Sequence, residues 1–580
     1  MNPIDSDSTI RCTNNANGEP HSVVLGLPLA MIVLALTFGC RRPDEQARNS
    51  LVPDNDAQTQ RVVFAEIASE SGIDFIYRNG QEARALSIVE SLGGGVGIAD
   101  IDRDGWNDVF FPGGGELKLN EALPGLPHRL FRQVARLQFE EVSRQARVHE
   151  SYRYSHGCSI SDFDNDGFPD VLVTGYGGLE FFQNQGDGTF REMHEAANLS
   201  DSQWSSSAAW GDFNSDGNLD LYVAHYVNWS WEFNPECFAG VQQRDICPPR
   251  TFRGLDDTLY LSRGDGTFDD ATQDSGLRPE GKGLGVLAAD IDSDGDVDIY
   301  VANDTVDNFC YLNDGSGHFE EQGTITGLAT DDRGAPNGSM GIAILDYDAN
   351  QLPDLWVANY ENESFALYRN EGNTSFTHVS QSTGIFSMGP NYVGFGTAAC
   401  DLDKDGDEDL MIANGHVVAH PRSGEVKQRP LILLNEAGSF RVADFDADQY
   451  FGQTHHGRGL AVADLDNDGD LEMVVSHNNE PAAVLTNETI TSNQWLGLRL
   501  IGRRSNRDAI GTRATLHTTA SIQLRISYGG GSYLSQSDNR LFWGVPTGAR
   551  ATHLQITWPN GVLQTVEIDE CDRYLSVVEP

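Results

Sequence analysis

One nine-residue phrase recurs seven times along the chain, and few folds accommodate it. It reads D-I-D-R-D-G-W-N-D from Asp100, D-F-D-N-D-G-F-P-D from Asp162 and D-F-N-S-D-G-N-L-D from Asp212. It returns as D-I-D-S-D-G-D-V-D from Asp290, D-Y-D-A-N-Q-L-P-D from Asp346, D-L-D-K-D-G-D-E-D from Asp401 and D-L-D-N-D-G-D-L-E from Asp464. Each copy follows a glycine-containing apolar stretch, such as G-V-G-I-A before Asp100, and precedes an apolar run, such as L-Y-V-A from Leu221. Short apolar run, acidic turn, short apolar run predicts a β-hairpin with the acidic residues at its tip.

A second phrase lies between the acidic turns. It is clearest in F-F-Q-N-Q-G-D-G-T-F from Phe181 and L-Y-L-S-R-G-D-G-T-F from Leu259, with worn copies ending at Phe319 and Phe376. Gly-Asp-Gly supplies the positive-φ positions a hairpin turn needs, and the phenylalanine opens a further strand. Together the phrases give four strands per repeat of about 50–60 residues, close to the unit of a propeller blade. Phenylalanine-led segments begin at Phe64, Phe139, Phe190, Phe268, Phe319, Phe376 and Phe440. The first precedes the first acidic turn, and none follows the last. The N-terminal strand is therefore expected to complete the last sheet, which would close the ring and remove two exposed edges. The fold class expected is all-β: a seven-bladed β-propeller over 61–488 with calcium-binding hairpin loops, plus a small C-terminal β domain over 489–580.

The acidic turns carry the chemistry. Side chains at positions 1, 3 and 5 of a tight turn converge on one point, with a backbone carbonyl at 7 and a carboxylate at 9. Hard oxygen ligands at this density suit calcium (Ca2+), which takes six to eight oxygens at roughly 2.3–2.6 Å. The ligand sets are Asp100, Asp102, Asp104 and Asp108; Asp162, Asp164, Asp166 and Asp170; Asp212, Asn214, Asp216 and Asp220. Three more are Asp290, Asp292, Asp294 and Asp298; Asp401, Asp403, Asp405 and Asp409; Asp464, Asp466, Asp468 and Glu472. The turn at Asp346 has Asn350 and then Gln351 where glycine belongs, so its site is expected to be weak or empty. About six sites are thus expected. An EF-hand is excluded, since no glutamate stands at position 12 and a strand follows. Cysteine and histidine are absent from the turns, which excludes soft-metal sites. Solubilising acidic turns could explain one loop, but not the same spacing in six.

Acidic residues number 86 against 39 basic ones, a formal charge of −47. That balance excludes nucleic acid or an anionic membrane surface as main partner, because both would repel it. Eight cysteines are too few for a disulfide scaffold at this length. Cys237 and Cys247 stand close together in a Pro-rich loop and could close a small ring. Cys158, Cys310, Cys400 and Cys571 sit in apolar stretches and are read as buried small hydrophobes.

Val23 to Gly39 is uncharged and apolar and ends at Cys40, followed by Arg41 and Arg42. Residues 1–40 look like a bacterial lipoprotein export signal, with Cys40 lipidated, although Thr37 stands where such signals carry leucine. The alternative is a short membrane anchor, since 17 residues lies at the lower limit for spanning a bilayer. Either way the rest is exported to the cell envelope or cell surface, or secreted, with residues 41–60 as a tether and no other membrane contact.

The acidic phrases resemble the FG-GAP or VCBS repeats of integrin α-chain propellers. The insertion with Cys237, Cys247, Pro248, Pro249 and Phe252, together with G-S-M-G-I-A-I-L-D-Y-D from Gly338 and A-N-G-H-V from Ala413, resembles the cartilage acidic protein group. N-Q-W-L-G-L-R-L-I-G, S-N-R-D-A-I-G-T-R-A, S-Y-L-S-Q-S-D-N-R-L-F-W-G-V and I-T-W-P-N-G, over 490–572, are similar to the ASPIC/UnbV domain. The resemblance implies an extracellular or envelope protein of a group without a well-established activity, and it supplies no ligand.

Three further groups stand out. Arg503, Arg504, Arg507 and Arg513 are read as docking the C-terminal domain onto the propeller, with an anionic ligand as the alternative. His455, His456 and Arg458 are expected to face the central channel. Trp229, Trp231 and Phe233 could stack on a sugar or partner, or cover a propeller face. No nucleophile elbow, H-E-x-x-H or phosphate loop is present. The preferred function is a binding or adhesion module for extracellular protein or polysaccharide, with no catalytic residues. The alternative is a carbohydrate-active enzyme, lyase-like, using a propeller face.

Overall fold

The computed structural model describes residues 61–422 and 424–580. The export signal, Cys40 and the tether lie outside them. Among the described residues no helix is long and apolar enough to cross a membrane.

Among the described residues every acidic phrase lies between two antiparallel strands of a sheet; there are seven such sheets, six of four strands and the fourth with a short fifth one. The fourth shows the pattern: Gly283–Ala289, then Asp298–Asn303 after the acidic turn, then Phe309–Asn313 and Phe319–Glu321. The other first strands are Gly97–Ala99, Tyr154–Ser161, Ser205–Gly211, Ser339–Leu345, Gly394–Cys400 and Gly457–Ala463. The seventh sheet takes its outer strand from the start of the chain. Phe64–Glu66 pairs with Ala483–Asn487, with Phe64 opposite Asn487.

First strands of successive sheets pack against one another, and that of the seventh packs against that of the first. They are buried on both faces, which is why they read as unbroken runs of small and apolar residues rather than alternating ones. Between neighbouring sheets lie clusters such as Ala209, Tyr222, Val286, Ile299 and Tyr311. A fully buried side chain such as Trp356 contributes about 3 kcal/mol of apolar burial.

The C-terminal strands form two sheets. Leu541–Val545, Gln494–Ile501 and Arg573–Val578 make one, the last two strands running parallel. Ile522–Ile526, Arg513–Thr518, Ala551–Thr557 and Leu563–Glu567 make the other. Leu496, Leu498, Leu516, Trp543, Leu554 and Ile556 fill the space between them.

This part is not a self-contained appendage. Its residues 527–538 leave the two sheets and run among the first strands of the ring. Gly529 and Gly530 pair with Ala288 and Leu287 of the fourth sheet. Ser532 exchanges backbone hydrogen bonds with Ile342, and Cys158 N–H donates to the Leu534 carbonyl at 3.1 Å. Gln536 N–H donates to the Val96 carbonyl and its own carbonyl accepts from Ile98. The Ser532 hydroxyl donates to the Leu460 carbonyl and accepts from Thr397 N–H. Six of the seven first strands are thereby bonded to one segment. First strands have no neighbour of their own sheet on the inner side, and buried backbone groups must be paired. Glycine permits the approach: a Cβ on Gly529 would lie 1.9 Å from the Trp210 carbonyl oxygen.

The groups expected to face the central channel are held by partners from the chain. Arg458 is fully buried, its guanidinium 4.0 Å from the Phe395 ring centroid and donating to the carbonyls of Ser91, Gly415 and Gly457. His456 Nε2 donates to the His416 carbonyl, and His455 stacks on Tyr450. Trp229 is buried among Tyr176, Trp204 and Trp231. It covers the ring, while Phe233 stays 45% exposed against Phe252. Cys237 and Cys247 are disulfide-bonded. Cys158 and Cys310 are buried as expected, but Cys400 and Cys571 are only half-buried. Cys400 ends a first strand at the acidic turn and Cys571 lies in the turn before Arg573, so neither has a core on all sides.

Gly529→Val is expected to lower the melting temperature, at a cost of about 2–3 kcal/mol from overpacking against Trp210. Thermal unfolding of the variant beside the unmodified protein measures this.

Candidate metal centres

The acidic turns share one backbone trace. Position 4 is left-handed in all seven (Arg103, Asn165, Ser215, Ser293, Ala349, Lys404 and Asn467), and so is position 6. Six turns have glycine at position 6, while Gln351 adopts φ 66° in the fifth. Carboxylates curl back onto the turn's own amides. Asp212 accepts from the N–H groups of Asp216 and Gly217, and Asp401 from those of Asp405 and Gly406. Asp104, Asp216, Asp294 and Asp468, at position 5, each accept from the N–H two residues on.

Position 9 does something the spacing alone did not suggest. Asp298 is fully buried and binds two strands together, Oδ2 accepting from Ile291 N–H and Oδ1 from Asn313 N–H, both at 2.9 Å. Asp108, Asp170, Asp220, Asp354 and Asp409 do the same in their sheets. Glu472 accepts from Leu465 N–H.

A side-chain amide at the end of the third strand continues the chain of contacts. Asn184 donates to the Ile101 carbonyl of the preceding sheet's turn. Asn313, Asn370, Asn435 and Asn487 donate likewise to Phe213, Ile291, Tyr347 and Leu402. Gln133 of the first sheet donates to Leu465 of the seventh. Only the third sheet, with Ser262 at this place, lacks the amide. The asparagine recurring at 184, 313, 370, 435 and 487, two residues before the turn in four of these, was the sequence signal for this.

Residues 162–223, 252–301, 290–357 and 346–412 match the FG-GAP-like repeat family, and residues 502–580 match ASPIC and UnbV. The chain thus carries FG-GAP-like repeats within residues 162–412 and an ASPIC and UnbV domain over residues 502–580. It is 24% identical over 513 residues to cartilage acidic protein 1 of Mus musculus, covering 84% of this chain and 74% of that protein. The Xenopus tropicalis protein of the same name is 25% identical over 504 residues, covering 82% and 72%. Among solved structures, an Agrocybe aegerita lectin recognising non-reducing terminal N-acetylglucosamine aligns at 16% identity and TM-score 0.39, covering 68% of this chain and 94% of that one. The V. cholerae biofilm matrix protein Bap1 aligns at 11% and 0.31, covering 82% and 59%.

The FG-GAP turns bring their carboxylates together in two ways. Oxygens of Asp100, Asp102 and Asp104 lie within 4.8 Å of one another, as do those of Asp290, Asp292 and Asp294. Elsewhere position 9 joins instead, in Asp162, Asp164 and Asp170, in Asp401, Asp403 and Asp409, and in Asp346, Asp348 and Asp354. Oδ1 of Asp100, Asp162 and Asp290 is buried and accepts no hydrogen bond. Burial, and secondly the neighbouring carboxylates, push Asp162 up to about 8. Asp220 and Asp354 also rise to about 8, mainly through burial. Orphaned, crowded, buried anionic oxygens fit a hard cation. The fifth turn converges as closely as the others but holds its own cation, since Arg369 Nε is 2.5 Å from Asp348 Oδ2. In the seventh, Arg136 lies 2.8 Å from Asp466 and 2.5 Å from Asp468.

The ASPIC and UnbV domain docks on these same turns. Gly544 N–H donates to Asp401 Oδ2 and the Tyr574 hydroxyl to Asp464 Oδ2. Of the four arginines expected to dock it, Arg507 stands 3.6 Å from Asp162 Oδ2, and Arg513 donates to the Ser293 hydroxyl and the Gln351 carbonyl. Arg503 and Arg504 are exposed, and their backbone N–H groups donate to Glu579.

Two outcomes follow from this geometry. Asp298→Ala leaves two buried amides unpaired and is expected to cost about 2–5 kcal/mol, measured by denaturant unfolding, with Asp298→Asn less harmful. The carboxyls raised by folding hold protons that the unfolded chain loses near pH ~4. In EDTA the stability they contribute is complete below that pH and is lost as pH rises through about 8. Melting temperatures in EDTA should therefore fall between about pH 5 and about pH 8.

Proposed function

We propose that the chain is a seven-bladed propeller whose turns are structural calcium sites, and that it works outside the cytoplasm as a binding or adhesion module for protein or polysaccharide. The observation that carries the reading is the set of buried carboxylate oxygens of Asp100, Asp162 and Asp290 with no hydrogen-bond partner. A bound calcium would be held by the first-, third- and fifth-position side chains with the ninth, and would supply the missing countercharge. Asp298 and its equivalents would then couple the ion to the sheet, since each already binds two strands. The first-strand ends opposite the turns remain as a broad surface for a partner, while the turn end is taken by the C-terminal domain. The apolar run ending at Cys40 supports export and a lipid anchor at the cell envelope.

The test is thermal unfolding of residues 44–580, stripped with EDTA and then supplied with calcium or magnesium. A site filled at a hundred times its dissociation constant adds about 2.7 kcal/mol, so several sites shift the transition strongly. A large rise with calcium and little with magnesium is expected. No shift with either would remove the calcium sites from the reading.

A further inference from the structure

We propose that His517, His553 and Glu567 form a site for one divalent transition-metal ion, of the zinc and copper class, on the outer face of the C-terminal domain. The site is separate from the acidic turns and goes beyond the reading of the chain as a binding module.

The four-stranded C-terminal sheet turns Ala514, Leu516, Leu554, Ile556 and Val566 towards its partner sheet. Alternate residues face away, because successive side chains along a strand point to opposite faces. Register sets three of them in one row across three strands: His517 stands opposite His553, and His553 opposite Glu567. Directly opposite residues have Cβ atoms roughly 4.5–5.5 Å apart, close enough for their side chains to share one ion. The two imidazoles already meet, with ring centroids 4.3 Å apart and planes 13° from parallel. Both histidines are half-buried and Glu567 is exposed, so the row is open to solvent.

A β-bulge fixes the chemistry of the pair. His517 pairs with His553 but Thr518 pairs with Ala551, which leaves Thr552 as the extra residue. Its hydroxyl donates to the His517 carbonyl at 2.9 Å and lies 3.1 Å from His553 Nδ1. A hydroxyl has one proton, and the carbonyl takes it, so Nδ1 donates to Thr552. In the neutral ring Nε2 then carries the lone pair, and Thr552 is the kind of orienting partner that metal-ligating histidines have. Burial, and secondly the His553 ring, lower the pKa of His517, against a hydrogen bond with Gln555. That ring is therefore neutral at pH ~7 as well.

Another stacked pair, His455 and His477, shows the contrast. His477 is held at both nitrogens, by the Tyr450 hydroxyl and the Pro481 carbonyl, and His455 Nε2 meets the Tyr450 carbonyl. His553 Nε2 has no such partner among the described residues. Imidazole nitrogen suits zinc and copper, whereas calcium and magnesium prefer oxygen, so the row and the acidic turns select different ions. Two imidazoles and a carboxylate, with one water, complete the tetrahedral coordination of zinc.

The experiment is calorimetry with zinc chloride on the full chain, free of any histidine tag, in excess calcium to keep oxygen sites filled. About one zinc ion per chain should bind to this row. His517→Gln with His553→Gln should weaken that binding at least about a hundredfold and leave the zinc-free melting temperature unchanged. Thr552→Val should weaken it about tenfold, and Thr552→Ser should restore it. Absence of zinc binding, or affinity undiminished in the double histidine variant, would overturn the proposal. Should that variant not fold, electron paramagnetic resonance of one equivalent of copper(II) on the unmodified protein decides. Coupling to two imidazole nitrogens is expected there, and coupling to fewer than two would overturn the site.

Discussion

The fold depends on a carboxylate that is not at the tip of its turn. The ninth residue of each acidic phrase lies at the start of the second strand, where Asp298 accepts one amide from its own turn and one from the third strand. Hydrogen bonds to an ionised acceptor are among the stronger ones available, and leaving such amides unpaired inside a protein costs more than the bond itself contributes. The asparagine beside it then reaches the turn of the preceding sheet, and Gln133 carries the same contact from the first sheet to the seventh. Six sheets are thus tied internally by the aspartate, and all but the third are tied to the preceding sheet by the amide.

This arrangement gives the acidic composition a place. The carboxylates of the turns are gathered at one end of the sheets, where burial resists their charge, while others such as Glu70, Glu140 and Glu195 are exposed. Some receive a guanidinium from the chain itself, as Asp348 does from Arg369 and Asp466 from Arg136. Others, such as Asp162 and Asp290, keep an oxygen with no partner. The C-terminal domain covers the same end, and Tyr574, Gly544 and Arg507 reach the first residues of three turns directly. Turn and domain are therefore parts of one electrostatic unit.

The inner edges of the first strands pose a separate problem, since backbone groups there have no sheet neighbour. Residues 527–538 answer it. A glycine-rich stretch from the C-terminal domain bonds to six first strands and buries Tyr533 and Leu534 among them. Arg458 is buried as well, held by the carbonyls of Ser91, Gly415 and Gly457 and by the Phe395 ring.

The sequence by itself determined the strand, turn, strand unit, because period and turn chemistry are local. The nine-residue spacing, the glycine at position 6 of six turns and the phenylalanine opening the outer strand are all readable along the chain, and the surplus leading strand predicted that the N-terminal strand completes the last sheet, where Phe64 stands opposite Asn487. It also placed the candidate ligands, since one turn supplies them all. Only the tertiary structure decided which carboxylates have partners from elsewhere: Arg136 is more than three hundred residues from Asp466, and no local pattern announces that contact. The same holds for the segment 527–538, whose glycines and serines read as an ordinary loop until the ring around them shows what they bond to.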